Sequence, residues 1–130
     1  MSAFIVELND QPGQLARLCE AMAARDVNII LSGTTHGDRG TVAFVADDEA
    51  AARTALDRAG MTFTERVALT VRLPNLPGAG AAMFRTLADV NVNIELVLPV
   101  RVSDEYFFAV LCVQDVDAAR QALGDQLVDE

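Results

Sequence analysis

Apolar residues first alternate, then recur at helical spacing, and the whole succession happens twice. Phe4, Val6 and Leu8 stand two apart and so share one face of an extended strand. Leu15, Leu18, Cys19 and Met22 follow at i, i+3, i+4 and i+7, the stripe by which a helix faces a core. Residues 28–31 read as a second strand. Glycine-bearing turn chemistry over residues 33–40 and an apolar run over 41–46 then predict a hairpin. Ala52, Ala55, Leu56 and Ala59 mark a second helix, and residues 61–65 a fourth strand.

The second pass begins with Leu69, Val71 and Leu73, continues with Gly80, Met83, Phe84 and Leu87, and reaches a strand at Asn93-Ile94-Glu95-Leu96. A hairpin tip is expected around residues 102–105, with 106–113 returning. Ala119, Ala122 and Leu123 mark the last helix, and Leu127-Val128 is the counterpart of the fourth strand. The two passes share literal sequence. Pro12-Gly13 and Val27-Asn28-Ile29 return 65 residues later as Pro77-Gly78 and Val92-Asn93-Ile94. Ala51-Ala52-Arg53 returns 67 residues later as Ala118-Ala119-Arg120, so the second hairpin region must hold two more residues.

An internal repeat fixes domain count and architecture together. Residues 1–66 and 67–130 are expected to form one domain each. Both have the β-α-β-β-α-β order of a ferredoxin-like α+β fold, with an antiparallel four-stranded sheet and two helices on one face. The other face tolerates polarity, since Ile5 and Glu7 become Thr70 and Arg72. Each first helix is expected to begin at its Pro-Gly, with proline in the first turn, and to end near Asp26 or Asn91. Units of roughly 65 residues are marginal alone and are expected to pack on one another or on a second chain.

Charge narrows the function. Nineteen acidic against ten basic residues give −9, a field that disfavours nucleic acid and anionic membrane as partners. No apolar run approaches the roughly 20 residues of a membrane helix, and the expected location is the cytoplasm. Every basic residue is arginine, which leaves out lysine Schiff bases, lysine-attached cofactors and Walker-type phosphate loops. Cys19 and Cys112 sit in apolar surroundings and read as buried thiols. His36, the single histidine, lies in a turn and reads as a bystander. Asp47-Asp48-Glu49 complements the start of a helix. No catalytic residue, metal site or cofactor is predicted, and the chain is not expected to be an enzyme.

Binding has the better case. A strand that turns tightly into a helix leaves free N–H groups at the helix start, suited to a carboxylate. Gly13 and Gly78 would let a ligand approach that backbone. Asp10 and Asn75, two residues before each proline, could accept from an ammonium group. Together these describe an α-amino acid. The same residue types also form turns with no ligand, and spacing alone leaves both readings open.

At these residues the chain resembles the ACT domain family. The family's Asp/Asn-x-Pro-Gly, helix, Val-Asn-Ile pattern occurs as Asp10-Gln11-Pro12-Gly13 with Val27-Asn28-Ile29, and again as Asn75-Leu76-Pro77-Gly78 with Val92-Asn93-Ile94. The match covers nearly the whole chain and is similar to small bacterial proteins made of two such domains. The resemblance implies regulatory amino-acid binding at an interface between ACT units. The turn of one unit, with Asp10, Gln11 and Gly13 or Asn75, Leu76 and Gly78, would face the second strand of another. Asn28, Ile29 and Ile30, with Asn93, Ile94 and Glu95, would lie on those strands. It also implies pairing of sheets into an eight-stranded sheet, a homodimer, and a partner enzyme or regulator.

Three departures stand out. Leu15 keeps the usual leucine, but its counterpart is Gly80. Leu96 and Leu98 stand where such tandem proteins often carry aromatics. Asp10 is opposed by Asn75, and the neutral asparagine turn is slightly favoured as the binding site. Other readings are a ligand-free oligomerisation module, a regulatory subunit of a biosynthetic enzyme, and a small enzyme built around His36.

Overall fold

A computed structural model describes residues 1–128. In chain order the elements are β1 (Ser2–Asn9), α1 (Gln14–Ala23), β2 (Ile29–His36), β3 (Arg39–Ala46), α2 (Glu49–Arg58) and β4 (Phe63–Val67). They continue with β5 (Leu69–Pro74), α3 (Ala79–Asp89), β6 (Ile94–Val102), β7 (Tyr106–Val113), α4 (Val116–Leu123) and a 3₁₀ turn over Gly124–Gln126. The chain divides into two compact units, Ser2–Arg66 and Met1 with the residues from Val67 on.

The first unit carries a four-stranded sheet in the order β2-β3-β1-β4. β1 and β3 pair antiparallel with Phe4 opposite Phe44 and Val6 opposite Val42, so both strands present these side chains to one face. Leu18 and Met22 of α1 and Ala52 and Leu56 of α2 cover that face. Phe4 and Phe44 stack with centroids 5.1 Å apart. Each fully buried side chain of this size contributes about 1.5–3 kcal/mol. The second unit is built the same way on a three-stranded sheet, β5-β7-β6. Leu69, Val71 and Leu73 meet Met83 and Leu87 of α3 and Ala119 and Leu123 of α4. Among the described residues the expected fourth strand is a bridge between Leu127 and Val71, with the Val128 N–H donating to Thr70 O at 2.9 Å.

The Pro-Gly turns correct one expectation. Gly13 and Gly78 are the N-caps of α1 and α3, with φ of 92° and 89°. Helical residues therefore start after the glycine, and Pro12 and Pro77 precede the cap instead of filling the first turn. Glycine is needed here because the chain enters the helix through the left-handed region. Asp26 and Asn91, with φ of 58° and 59°, reverse the chain beyond the helix ends at Ala23 and Asp89. The helices α2 and α4 are capped conventionally: Asp48 accepts from Ala51 N and Asp115 from Ala118 N, both at 3.0 Å. The acidic run before α2 is tied down further. Asp47 accepts from Asn28 N at 2.9 Å and Glu49 from Ser2 N at 2.8 Å.

The two extra residues of the second repeat are not in its hairpin tip. Only Gly37-Asp38 separates paired His36 and Arg39. In the second unit Ser103 N bonds Tyr106 O at 2.8 Å, leaving only Asp104-Glu105 between them. The tips are therefore equal in length. Instead β6 slips against β7 twice, between Ile94 and Leu96 and between Pro99 and Arg101, while β2 and β3 pair without a break. Glu95 and Val100 are the inserted residues, each a bulge that bends the strand.

The cysteines also divide. Cys112 is buried, as expected, but Cys19 is exposed. The buried stripe of α1 is narrower than the sequence suggested: it contains Leu18 and Met22, while Leu15 on the flank is 47% exposed.

Candidate functional site

Both Pro-Gly turns are held by the adjacent hairpin tip through the same bond. Asp10 N–H donates to Asp38 O at 3.0 Å, and Asn75 N–H to Glu105 O at 2.9 Å. A second short bond closes each turn, Gln11 N to Asn9 O and Leu76 N to Pro74 O, both 2.9 Å. No side chain caps α1 or α3. The Gln14 and Ala79 N–H groups turn back to Gln11 O and Leu76 O at 3.4 and 3.2 Å, which leaves the next N–H groups of each first turn at a positive helix end.

Beside each turn lies a hollow between the start of the helix and the ends of the strands. In the first unit it measures about 550 Å³ and is bounded by Leu8, Asp10, Leu15, Gly33, Gly40 and Val42, with Gln11, Gln14, Thr34 and Thr35 at its polar edge. In the second it measures about 290 Å³, lined by Leu73, Asn75, Leu76, Gly80, Phe84 and Phe107 among others. Ligand pockets generally span about 300–1,000 Å³, so the first lies well inside that range and the second at its lower end. Another depression, about 160 Å³ beside Met1, Thr70 and Arg120, presents neither a carboxylate nor a helix start among the described residues.

Register explains the difference in size. Gly40 stands opposite Leu8 on β1, whereas the residue opposite the equivalent Leu73 is Phe107. Its aromatic side chain packs against the second core. On the helix side, a Cβ at Gly80 would meet the Phe84 ring at 3.8 Å, so Phe84 covers the place that Leu15 holds in α1.

The key polar residues differ as well. Asn75 Nδ2 donates to Ser103 O at 2.8 Å. The corresponding carbonyl in the first unit is that of His36, and an ionised carboxylate has no proton to give it. The Asp10 carboxylate accordingly has no hydrogen bond or ion pair among the described residues. The bond fixes the Asn75 amide on the turn and leaves its Oδ1 able to accept, whereas Asp10 brings a full negative charge to the same place.

Of the residues singled out from sequence, Asp10 and Gln11 border the larger hollow and Asn75 and Leu76 the smaller. Gly13 and Gly78 set the turn geometry. Asn28, Ile29 and Ile30 lie at the other end of their own sheet. Ile30 pairs with Val45, five residues along β3 from Gly40, which is roughly 16 Å away in an extended strand. Asn93 and Ile94 sit correspondingly at the far end of the second sheet, and Glu95 is at the first bulge. These six do not join the hollow of their own unit. Gln14, Gly33, Thr35 and Gly40 do, and sequence reasoning passed over them. The available signal was the exchange of Gly40 for Phe107 at the 67-residue offset.

His36 is exposed at the end of β2. Among the described residues no three His, Cys, Asp or Glu side chains gather as a metal site, and no helix is long and apolar enough to cross a membrane. One ion pair is well formed: Arg53 Nε and Nη2 reach Glu65 at 2.9 and 2.5 Å. The hydrogen bond from Arg53 holds the Glu65 carboxyl below its ordinary range.

No protein-family model and no curated protein sequence matches the chain. Solved structures do. A Bacteroides thetaiotaomicron protein aligns with a TM-score of 0.87 at 21% identity, over 98% of this chain and 90% of its own. The regulatory subunit of aspartate kinase from Thermus thermophilus, in a ligand-free form, aligns with a TM-score of 0.68 at 22% identity, over 94% and 89%. The Thermus flavus regulatory subunit gives 0.63 at 23%, over 94% and 88%. At such identities the likeness is one of fold: α+β, with antiparallel sheets covered by helices.

Proposed function

We propose that this chain is a non-catalytic regulatory protein that binds an α-amino acid in the hollow beside Pro12-Gly13. The observation that carries the reading is the unpartnered Asp10 carboxylate at the rim of a 550 Å³ hollow, next to an uncapped helix start. The N–H groups of α1 take the ligand carboxylate and Asp10 takes its ammonium, each charge meeting its opposite. The sequence slightly favoured Asn75; the larger hollow of the first unit and the full charge of Asp10 move the proposal there. The second unit, with its smaller hollow, is read as ligand-free scaffold.

The regulatory part of the proposal draws support from the shared fold with aspartate kinase regulatory subunits. In this reading a homodimer forms, with sheets paired edge to edge into eight strands. The strand Asn28-Ile29-Ile30 of a second copy then closes the open side of the hollow, where Ile30 offers a 44% exposed side chain. Ligand favours that packing, and a partner enzyme or regulator reads it, provided affinity differs between states. The exposed thiol of Cys19 suits a reducing cytoplasm. Calorimetry and thermal shift against the twenty amino acids test the proposal: saturable binding lost in Asp10→Asn supports it, and flat responses throughout remove it.

A further inference from the structure

We infer that Gly33 and Gly40 are specificity-determining residues, clearing space for the side chain of a neutral, apolar amino acid; this rests on the function just proposed. Glycine weakens a strand, and inside one it often marks a bulge or the close approach of another group. Neither residue has a positive φ. The pairing of β2 with β3 shows no bulge. A Cβ at Gly33 would find its nearest neighbours at 3.5 and 3.6 Å, and one at Gly40 at 3.6 Å, all ordinary contacts. Backbone and packing therefore demand glycine at neither position. What the two share is the hollow they border.

The second unit shows what fits there. At the register of Gly40 it places Phe107, and opposite Ala109, the counterpart of Val42, it places Pro99. A benzyl group supplied by the chain occupies the space that the first unit leaves open. The class of occupant follows from the walls. Leu8, Leu15 and Val42 are apolar, and Asp10 is the sole charged residue among those bordering the hollow. An acidic side chain would be repelled by Asp10, and a basic one would compete with the ligand's own ammonium for it. A branched aliphatic or phenyl side chain meets neither obstacle.

The test is calorimetry on the full chain with leucine, isoleucine, methionine and phenylalanine against alanine, aspartate and lysine. An apolar member is expected to bind most tightly, with roughly a 10–200-fold loss for each methylene removed. Gly40→Phe should abolish that binding. Gly40→Ala, the milder change, should raise the melting temperature by a few degrees while weakening the largest ligands most. Those opposite signs are the signature, because a merely structural glycine would lose stability on replacement. Preference for a charged amino acid, or unchanged affinity in both variants, overturns the inference and leaves the proposed function standing. Absence of any binding, or binding indifferent to Asp10→Asn, overturns both.

Discussion

The two units solve the same turn with one exchange of residue and thereby part company in chemistry. In the second, Asn75 donates to Ser103 and Phe84 and Phe107 close in beside it. In the first, aspartate cannot make the equivalent bond, and glycine at position 40 leaves the space unfilled. A duplicated fold need not duplicate a site. The copy that ties its amide into the turn and narrows its own hollow gains stability; the other keeps an unpaired charge and a wider gap, as binding sites commonly do.

That contrast can be broken by mutation. The largest effect is expected at Phe107→Ala, which removes packing from the second core and should cost about 2–4 kcal/mol by chemical denaturation, without altering amino-acid binding. A loss below about 1 kcal/mol would mean that the ring does not fill the second hollow as described. Next come Gly13→Ala and Gly78→Ala. Both force a side chain into the left-handed region and should each cost about 1–2 kcal/mol, equally in the two units. Unequal costs would show that the turns are not equivalent scaffolds.

Asn75→Ala should cost about 0.5–1.5 kcal/mol through its bond to Ser103. Asp10→Asn should go the other way, because the new amide can donate to the His36 carbonyl. The smallest effect concerns Arg53 and Glu65. The folded Glu65 carboxyl titrates below its ordinary value of 4.5, so the pair's contribution is present above that pH. It is lost as pH falls through the folded value. Glu65→Gln should leave a slightly shallower acid limb in the denaturation midpoint, and an unchanged limb would dismiss the pair.

Much of this fold could be read from spacing alone. The alternation of Phe4, Val6 and Leu8 and the pairs Leu18–Met22 and Met83–Leu87 placed both cores, because period 2 and period 3.6 separate cleanly there. Other features depend on partners that spacing does not show. The offset from 65 to 67 counted two insertions, but only strand pairing located them at Glu95 and Val100. Cys19 fits the apolar stripe of α1 yet faces outward, since two residues suffice to cover the sheet there. Asp10 was visible as a candidate. That it stands free, while Asn75 does not, depends on which carbonyl the hairpin brings within reach. Gly40 looked like turn chemistry until register set it against Leu8.

We place one amino-acid site in each chain, in the first unit. Calorimetric stoichiometry, measured on the native chain and on Asp10→Asn and Asn75→Ala, tests it most directly. One equivalent should bind per chain, abolished by Asp10→Asn and retained in Asn75→Ala. Two equivalents per chain, or binding lost in Asn75→Ala and kept in Asp10→Asn, would contradict it.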